Sequence, residues 1–386
     1  VSHGTIAPDT TNGRMLPAAD TMAQKDYYPA LTGIRALAMY MVYVQHFPPF
    51  PPDALGGYAL KFVNEFYVAV IMFFVLSGLL ITLRYYNRPD RGLRTYFVNR
   101  IARVYPMYFL VTTLTFIVGP MAMIHVSAKL EMWKVYLANI TFIRGFFQDL
   151  VLTGVAPGWS LTPEEVFYFT APLAFVLIKR SWVHVILIPL AMLLLGFAIV
   201  QAVGGWWPHG FMESNSFMLR HTFFGLAASF FSGVAIALLY IRHKDRLRGR
   251  HFTIIGSTVV IAYLVSATML KTEHMAVFQP GWFAIAMTVL SFLGMGLLLL
   301  GLMLERTWLS RLLGHKLVVW LGDSSLTFYL IHMGLVPFIA WYVPGALGPC
   351  LITTVVALGL NRAIERPADR WIKRWAGGRR VQGGAQ

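Results

Sequence analysis

Apolar residues run along this chain in blocks of about twenty, separated by short polar stretches rich in arginine. A helix needs about 20 mostly apolar residues to cross the hydrocarbon of a bilayer. Ten blocks meet that length, centred near Met39, Phe73, Thr113, Thr170, Leu193, Ala228, Ile261, Phe292, Tyr329 and Val355. The pattern predicts an all-α fold, a polytopic integral membrane bundle of about ten transmembrane helices. Between the third and fourth blocks, Trp133 to Phe147 is too polar and interrupted to span, so residues 131–148 are expected to lie on the membrane surface or to re-enter it. No internal repeat is evident, which counts against transporters built from duplicated halves.

Composition agrees with a lipid solvent: 57% of residues are hydrophobic and 13% charged, against about 25% charged in soluble domains. The net charge of +15 invites a nucleic-acid reading, but its placement follows topology instead. If the N-terminus is cytoplasmic, 25 of the Lys and Arg residues outside the spans fall inside and 6 outside. That alternation obeys the positive-inside rule and predicts that both termini are cytoplasmic. Membrane lipids are then the surroundings, and no nucleic-acid partner is expected. Residues 1–26 lack the apolar core of a signal peptide and read as a flexible cytoplasmic tail. Residues 27–376 form one membrane domain, and 377–386 read as a second cytoplasmic tail. The single cysteine, Cys350, excludes an intrachain disulfide and a cysteine-based metal cluster, and no metal is expected.

Against this background the ionisable residues inside the blocks stand out. Arg35 and His46 share the first helix, eleven residues apart. At 100° per residue that is about 20° past three full turns, so both project in nearly one direction, about 16 Å apart along the axis. Ionisable groups within a span are costly and mark functional sites by default. The plainer alternative is a snorkelling Arg with a His bonded to a backbone carbonyl. In the second helix, Gly78 beside Ser77 permits close backbone approach, either to another helix or to a ligand. Arg100 and Arg103, three residues apart, lie on one face at the start of the third helix. Their planar forks suit phosphate, or they signal topology and touch lipid headgroups.

The fourth helix opens with the adjacent carboxylates Glu164 and Glu165, about one turn in from the outer side. A buried Glu must be paired or neutral. At that depth Glu164 can orient the His46 imidazole as a general base, or it can form a structural pair with an arginine. His332, mid-span in the ninth helix, is expected to serve packing or positioning, and Glu365 to pair with a cytoplasmic arginine. The outer segment 204–221 carries paired Trp residues and is expected to mark the membrane interface.

Read in order, these segments resemble the membrane acyltransferase-3 family from about Tyr27 to Pro367. The resemblance rests on P-A-L-T-G-I-R-A-L-A followed by His46, F-F-V-L-S-G, R-I-A-R-V-Y-P, W-S-L-T-P-E-E-V-F-Y, L-G-D-S-S-L-T-F-Y-L-I-H and E-R-P. Thr32 stands where Asp is common and Pro163 precedes the Glu; neither removes a reactive group. The SGNH hydrolase-like domain that some members append is not seen. The resemblance implies an enzyme of the plasma (bacterial inner) membrane that takes an acyl group, commonly acetyl, from cytoplasmic acyl-coenzyme A (acyl-CoA). The implied acceptor is a hydroxyl of an extracytoplasmic glycan or lipid-linked sugar. It further implies His46 as the principal catalytic residue with Glu164 supporting it. Arg35, Arg100 and Arg103 become donor-site residues, with Ser77 and Gly78 beside the donor and Glu165, Tyr168 and His332 as further candidates. Two other readings stay open: a proton-coupled exporter relaying through His46, Glu164 and His332, and an inactive relative acting as a membrane scaffold.

Overall fold

The structure is a computed structural model and describes residues 27–87, 92–118, 131–270 and 280–378. The tail expected at 1–26 lies outside the described residues. So does the tail expected at 377–386, apart from Gly377 and Gly378, which end a helix. Among the described residues the fold is helical throughout, with one isolated antiparallel bridge between Phe147 and Phe211. Eight helices among the described residues are long and apolar enough to cross a membrane. The number is nine if Lys316–Asp323 and Ser325–Ala340, bent by 63° at their junction, form one broken span. The expected tenth, centred on Met39, corresponds to Pro29–His46. It is a full helix, but Arg35, Gln45 and His46 interrupt its apolar run, and it does not rank with the others.

Six helices frame the region where the candidate residues meet. They are α1 (Pro29–His46), α2 (Val68–Tyr85), α3 (Leu93–Val118), α4 (Leu161–Arg180), α5 (Phe223–Leu247) and α6 (Ser325–Ala340). Helices in lipid gain little from apolar burial against one another, so close packing of small residues does that work. The α2–α5 contact is the clearest case. A Cβ on Gly78 would strike the Phe230 carbonyl, and a Cβ on Gly233 would strike the Val75 carbonyl. The two glycines let the backbones approach reciprocally. Beside them Phe230 stacks between Phe74 and Phe167, with ring centroids 4.7 Å apart on each side, which ties α4 to the same pair.

Residues 131–160 fold into a cap and not a span. Met132–Ile140 is a short helix, followed by single turns at Ile143–Phe146 and Ala156–Ser160. Some of its polar residues turn inward. Asn139 and Arg144 are fully buried, and the Arg144 guanidinium donates to the carbonyls of Thr153 and Val155. Burial holds that guanidinium below its ordinary pKa. Arg144 thus acts as a clamp inside the cap. Because the cap brings Pro157, Trp159 and Ser160 into the interior, α4 starts within the bundle and its first turn is already buried.

Candidate active site

A cavity of about 120 Å³ opens between α1, α2, α3, α4 and α6. Arg35, Arg100 and Arg103 line it together with Ser77, Glu164 and Tyr168. Ser160, Ser325 and Tyr329 also line it. Three arginines around one small cavity form a strongly anion-attracting surface. They are not equivalent. Arg103 is committed to Glu365 at 3.1 Å, and that carboxylate also accepts from Thr327 and from Asn361 at 2.9 Å. A turn of π-helix at Asn361–Glu365 presents both side chains to this spot. Arg100 lies over the rings of Tyr168 and Tyr85, and its Nε is buried without a hydrogen-bond partner. Arg35 belongs to none of the ion pairs or hydrogen bonds among the described residues. Unpaired guanidinium donors beside an enclosed space fit an anionic ligand, because burying them without an acceptor is costly. No three His, Cys, Asp or Glu side chains among the described residues come together as a metal site requires.

Glu164 is held by Ser77 and Tyr168. The Ser77 hydroxyl donates to Glu164 Oε1 at 2.5 Å, and the Tyr168 hydroxyl donates to the same oxygen from one helical turn on. This corrects the expected Glu164–His46 pair, which is not among the hydrogen bonds. Depth is the reason. The cap carries the start of α4 inward, so Glu164 falls level with Ser77 of α2 and not with His46 at the end of α1. Glu165 is not part of the cavity lining and lies within electrostatic reach of Arg100. Of the two readings of Gly78, the structure supports helix contact: it meets Phe230 of α5 and, unlike Ser77, is not part of the lining expected of a donor-side residue.

His46 finds its partner elsewhere. Its Nδ1 lies 3.1 Å from Nε2 of His332, and His332 Nδ1 lies 2.7 Å from the carbonyl oxygen of Tyr329. His332 is fully enclosed while His46 is exposed. The Tyr329 hydroxyl in turn bonds Ser160 Oγ at 2.9 Å. Tyr329 therefore joins two levels: its side chain lines the basic cavity, and its backbone holds the histidine pair one turn further along α6. Sequence reasoning passed over Tyr329 and Ser160. The available signal was the spacing of Tyr329 and His332, three residues apart on one helix face.

The chain is similar to several named acyltransferases. Acyltransferase MdmB of Streptomyces mycarofaciens is 23% identical over 90% of this chain and 92% of its own length. Peptidoglycan O-acetyltransferase OatA of Listeria monocytogenes is 22% identical over 81% of this chain and 50% of its own. A Staphylococcus aureus protein with a provisional O-acetyltransferase name is 23% identical over 83% of this chain and 53% of its own. The chain thus spans about half the length of the latter two. No solved structure gives a significant match. The family described as an acyltransferase domain matches residues 28–360, a range that contains every residue of the cavity lining and both histidines, and the chain belongs to that acyltransferase-3 family.

Proposed function

We propose that this chain is an integral membrane O-acyltransferase that moves an acyl group, acetyl foremost, from cytoplasmic acyl-CoA to a hydroxyl of an extracytoplasmic carbohydrate or lipid-linked sugar. Both termini lie in the cytoplasm, in keeping with the distribution of Lys and Arg. Residues 27–376 act as one membrane domain. The observation that carries the reading is the double role of Tyr329, which lines the three-arginine cavity with its side chain and anchors the His332–His46 pair with its carbonyl. A basic donor pocket and an exposed base are thereby joined through one residue.

The chemistry follows from that arrangement. Coenzyme A phosphates dock at the cytoplasmic mouth against Arg100 and Arg103, with Arg35 deeper. The cavity of about 120 Å³ that these arginines line receives phosphate groups and leaves the adenosine at the mouth. The pantetheine arm extends along the Arg35–His46 face, a span of about 16 Å. His46 takes the proton of the acceptor hydroxyl as its oxygen attacks the thioester carbonyl. The C–S bond then breaks, and the thiolate leaves and recovers the proton from His46. Glu164, held by Ser77 and Tyr168, shapes the donor pocket. The name of the Listeria relative supports a cell-wall glycan as one class of acceptor.

The test is purified protein in lipid nanodiscs with radiolabelled acetyl-CoA and glycan acceptors, followed by release of free thiol and transfer of label. Acceptor-dependent release of coenzyme A is expected. Proton-coupled export of a glycan with no thiol released would replace this reading with the exporter.

A further inference from the structure

Proton positions along the His46–His332–Tyr329 line are dictated by which atoms accept. A backbone carbonyl oxygen only accepts, so His332 must carry a proton on Nδ1 to bond Tyr329 at 2.7 Å. A neutral His332 then has a bare Nε2, and the ring is fully enclosed, so water does not compete for that nitrogen. The group that reaches it is His46 Nδ1, at 3.1 Å. An accepting nitrogen requires a donor, so His46 carries its proton on Nδ1. Its Nε2 is left bare and makes no hydrogen bond among the described residues. The Phe328 ring lies parallel to His332, 6° from coplanar orientation at 6.0 Å, and restrains the rotation that would break the line.

We infer that His332 is a positioning residue: through Tyr329 and its own ring it fixes the tautomer of His46 so that Nε2 is the proton-accepting atom. The second histidine takes the orienting place that a carboxylate fills in a Ser-His-Asp triad, with a backbone carbonyl behind it. A neutral orienter suits a site in hydrocarbon. It fixes ring and tautomer without burying a second charge. This inference rests on the proposed acyl transfer for its kinetic consequence but not for its structural content, and the two are separable by experiment.

The full-length protein in nanodiscs, with ring-¹⁵N histidine, reads the tautomers directly. Signals of His46 and His332 are assigned by their loss in His46→Gln and His332→Gln. At neutral pH both rings should carry the proton on Nδ1, and His46 should change tautomer population in His332→Phe. A proton on Nε2 of either ring in the unaltered protein overturns the inference. In the acyl-transfer assay, His332→Phe should lower kcat about 10²-fold or more, in the range of general-base contributions, with the acetyl-CoA KM unchanged. His332→Gln, whose amide oxygen can accept from His46 Nδ1, should recover at least tenfold of that loss. Equal kcat in the Phe and Gln variants, or a wild-type kcat in His332→Phe, sinks it. Should His332→Phe not fold, the spectra of the unaltered protein decide. Should no acyl transfer occur with any acceptor, the proposed function falls while the ring spectra still judge the His46–His332 line.

Discussion

The Arg103 guanidinium sits 3.1 Å from a Glu365 carboxylate that is almost fully buried, while about a third of the Arg103 side chain is exposed. Glu365 also accepts from Thr327 and Asn361, so Arg103 of α3, Thr327 of α6 and Asn361 of its own π-helical turn converge on it. This makes Arg103 part of the framework as well as of the donor pocket. Removing one partner of a buried pair leaves the other charge uncompensated, at about 3–5 kcal/mol. Solvent on the Arg103 side reduces that to roughly 2–3 kcal/mol. Arg103→Ala should therefore lower the thermal unfolding midpoint clearly more than Arg100→Ala. Equal midpoints would remove the structural role of the pair.

Among the described residues Arg100 has no carboxylate ion-pair partner, and its buried Nε has no acceptor. Arg100→Ala is expected to weaken acetyl-CoA binding about ten- to a hundredfold, from the loss of one or more charge-assisted hydrogen bonds of roughly 1.5–3 kcal/mol. Lys should rescue in part, since a point charge lacks the planar fork. Titration of the donor into correctly inserted variants reads this out. Unchanged affinity in Arg100→Ala moves the phosphates elsewhere.

His46 is exposed and bonded through one nitrogen only, so its removal disturbs little packing. His46→Ala should abolish acyl transfer while the unfolding midpoint stays near that of the wild type. Turnover measured beside thermal unfolding checks both halves. Wild-type turnover in a folded His46→Ala protein would falsify the base assignment.

Glu164 lies with Ser77 and Tyr168 in the donor cavity and not with His46. Glu164→Gln should therefore act on the donor side, raising the acetyl-CoA KM, and should leave the acid limb of the kcat profile where His46 sets it. Tyr168→Phe, which removes one donor to the same oxygen, should shift KM in the same sense by a smaller factor. A displaced acid limb with an unchanged KM would return Glu164 to His46.

Gly78 stands where α2 touches the Phe230 carbonyl of α5. Gly78→Ala must push the helices apart, and overpacking of this kind costs about 1–3 kcal/mol or more. The yield of monodisperse protein and its unfolding midpoint should both fall, more so for Gly78→Val. A neutral Gly78→Ala would mean that the α2–α5 contact yields more easily than its geometry implies.

Much of this protein was legible in its sequence because it depends on local geometry. The lengths of the apolar blocks set the helical bundle. The eleven-residue spacing put Arg35 and His46 on one face, and the three-residue spacing did the same for Arg100 and Arg103. Those relations hold within single helices of known pitch, so no neighbour is needed to derive them. Arg35, Arg100, Arg103, Ser77, Glu164 and Tyr168 do meet around one cavity. The partnerships did not follow from sequence. His46 with His332, Glu164 with Ser77 and Tyr168, and Arg103 with Glu365 all join segments far apart in the chain. Each depends on the relative depth and rotation of two helices. Those are set by close contacts such as Gly78 against Phe230 and by the cap that draws the start of α4 into the bundle. A shift of one turn, about 5.4 Å, exchanges one set of neighbours for another while leaving every periodicity in the sequence unchanged. Helix identity and face belong to the sequence; the pairing of ionisable groups in hydrocarbon is decided only when the helices pack.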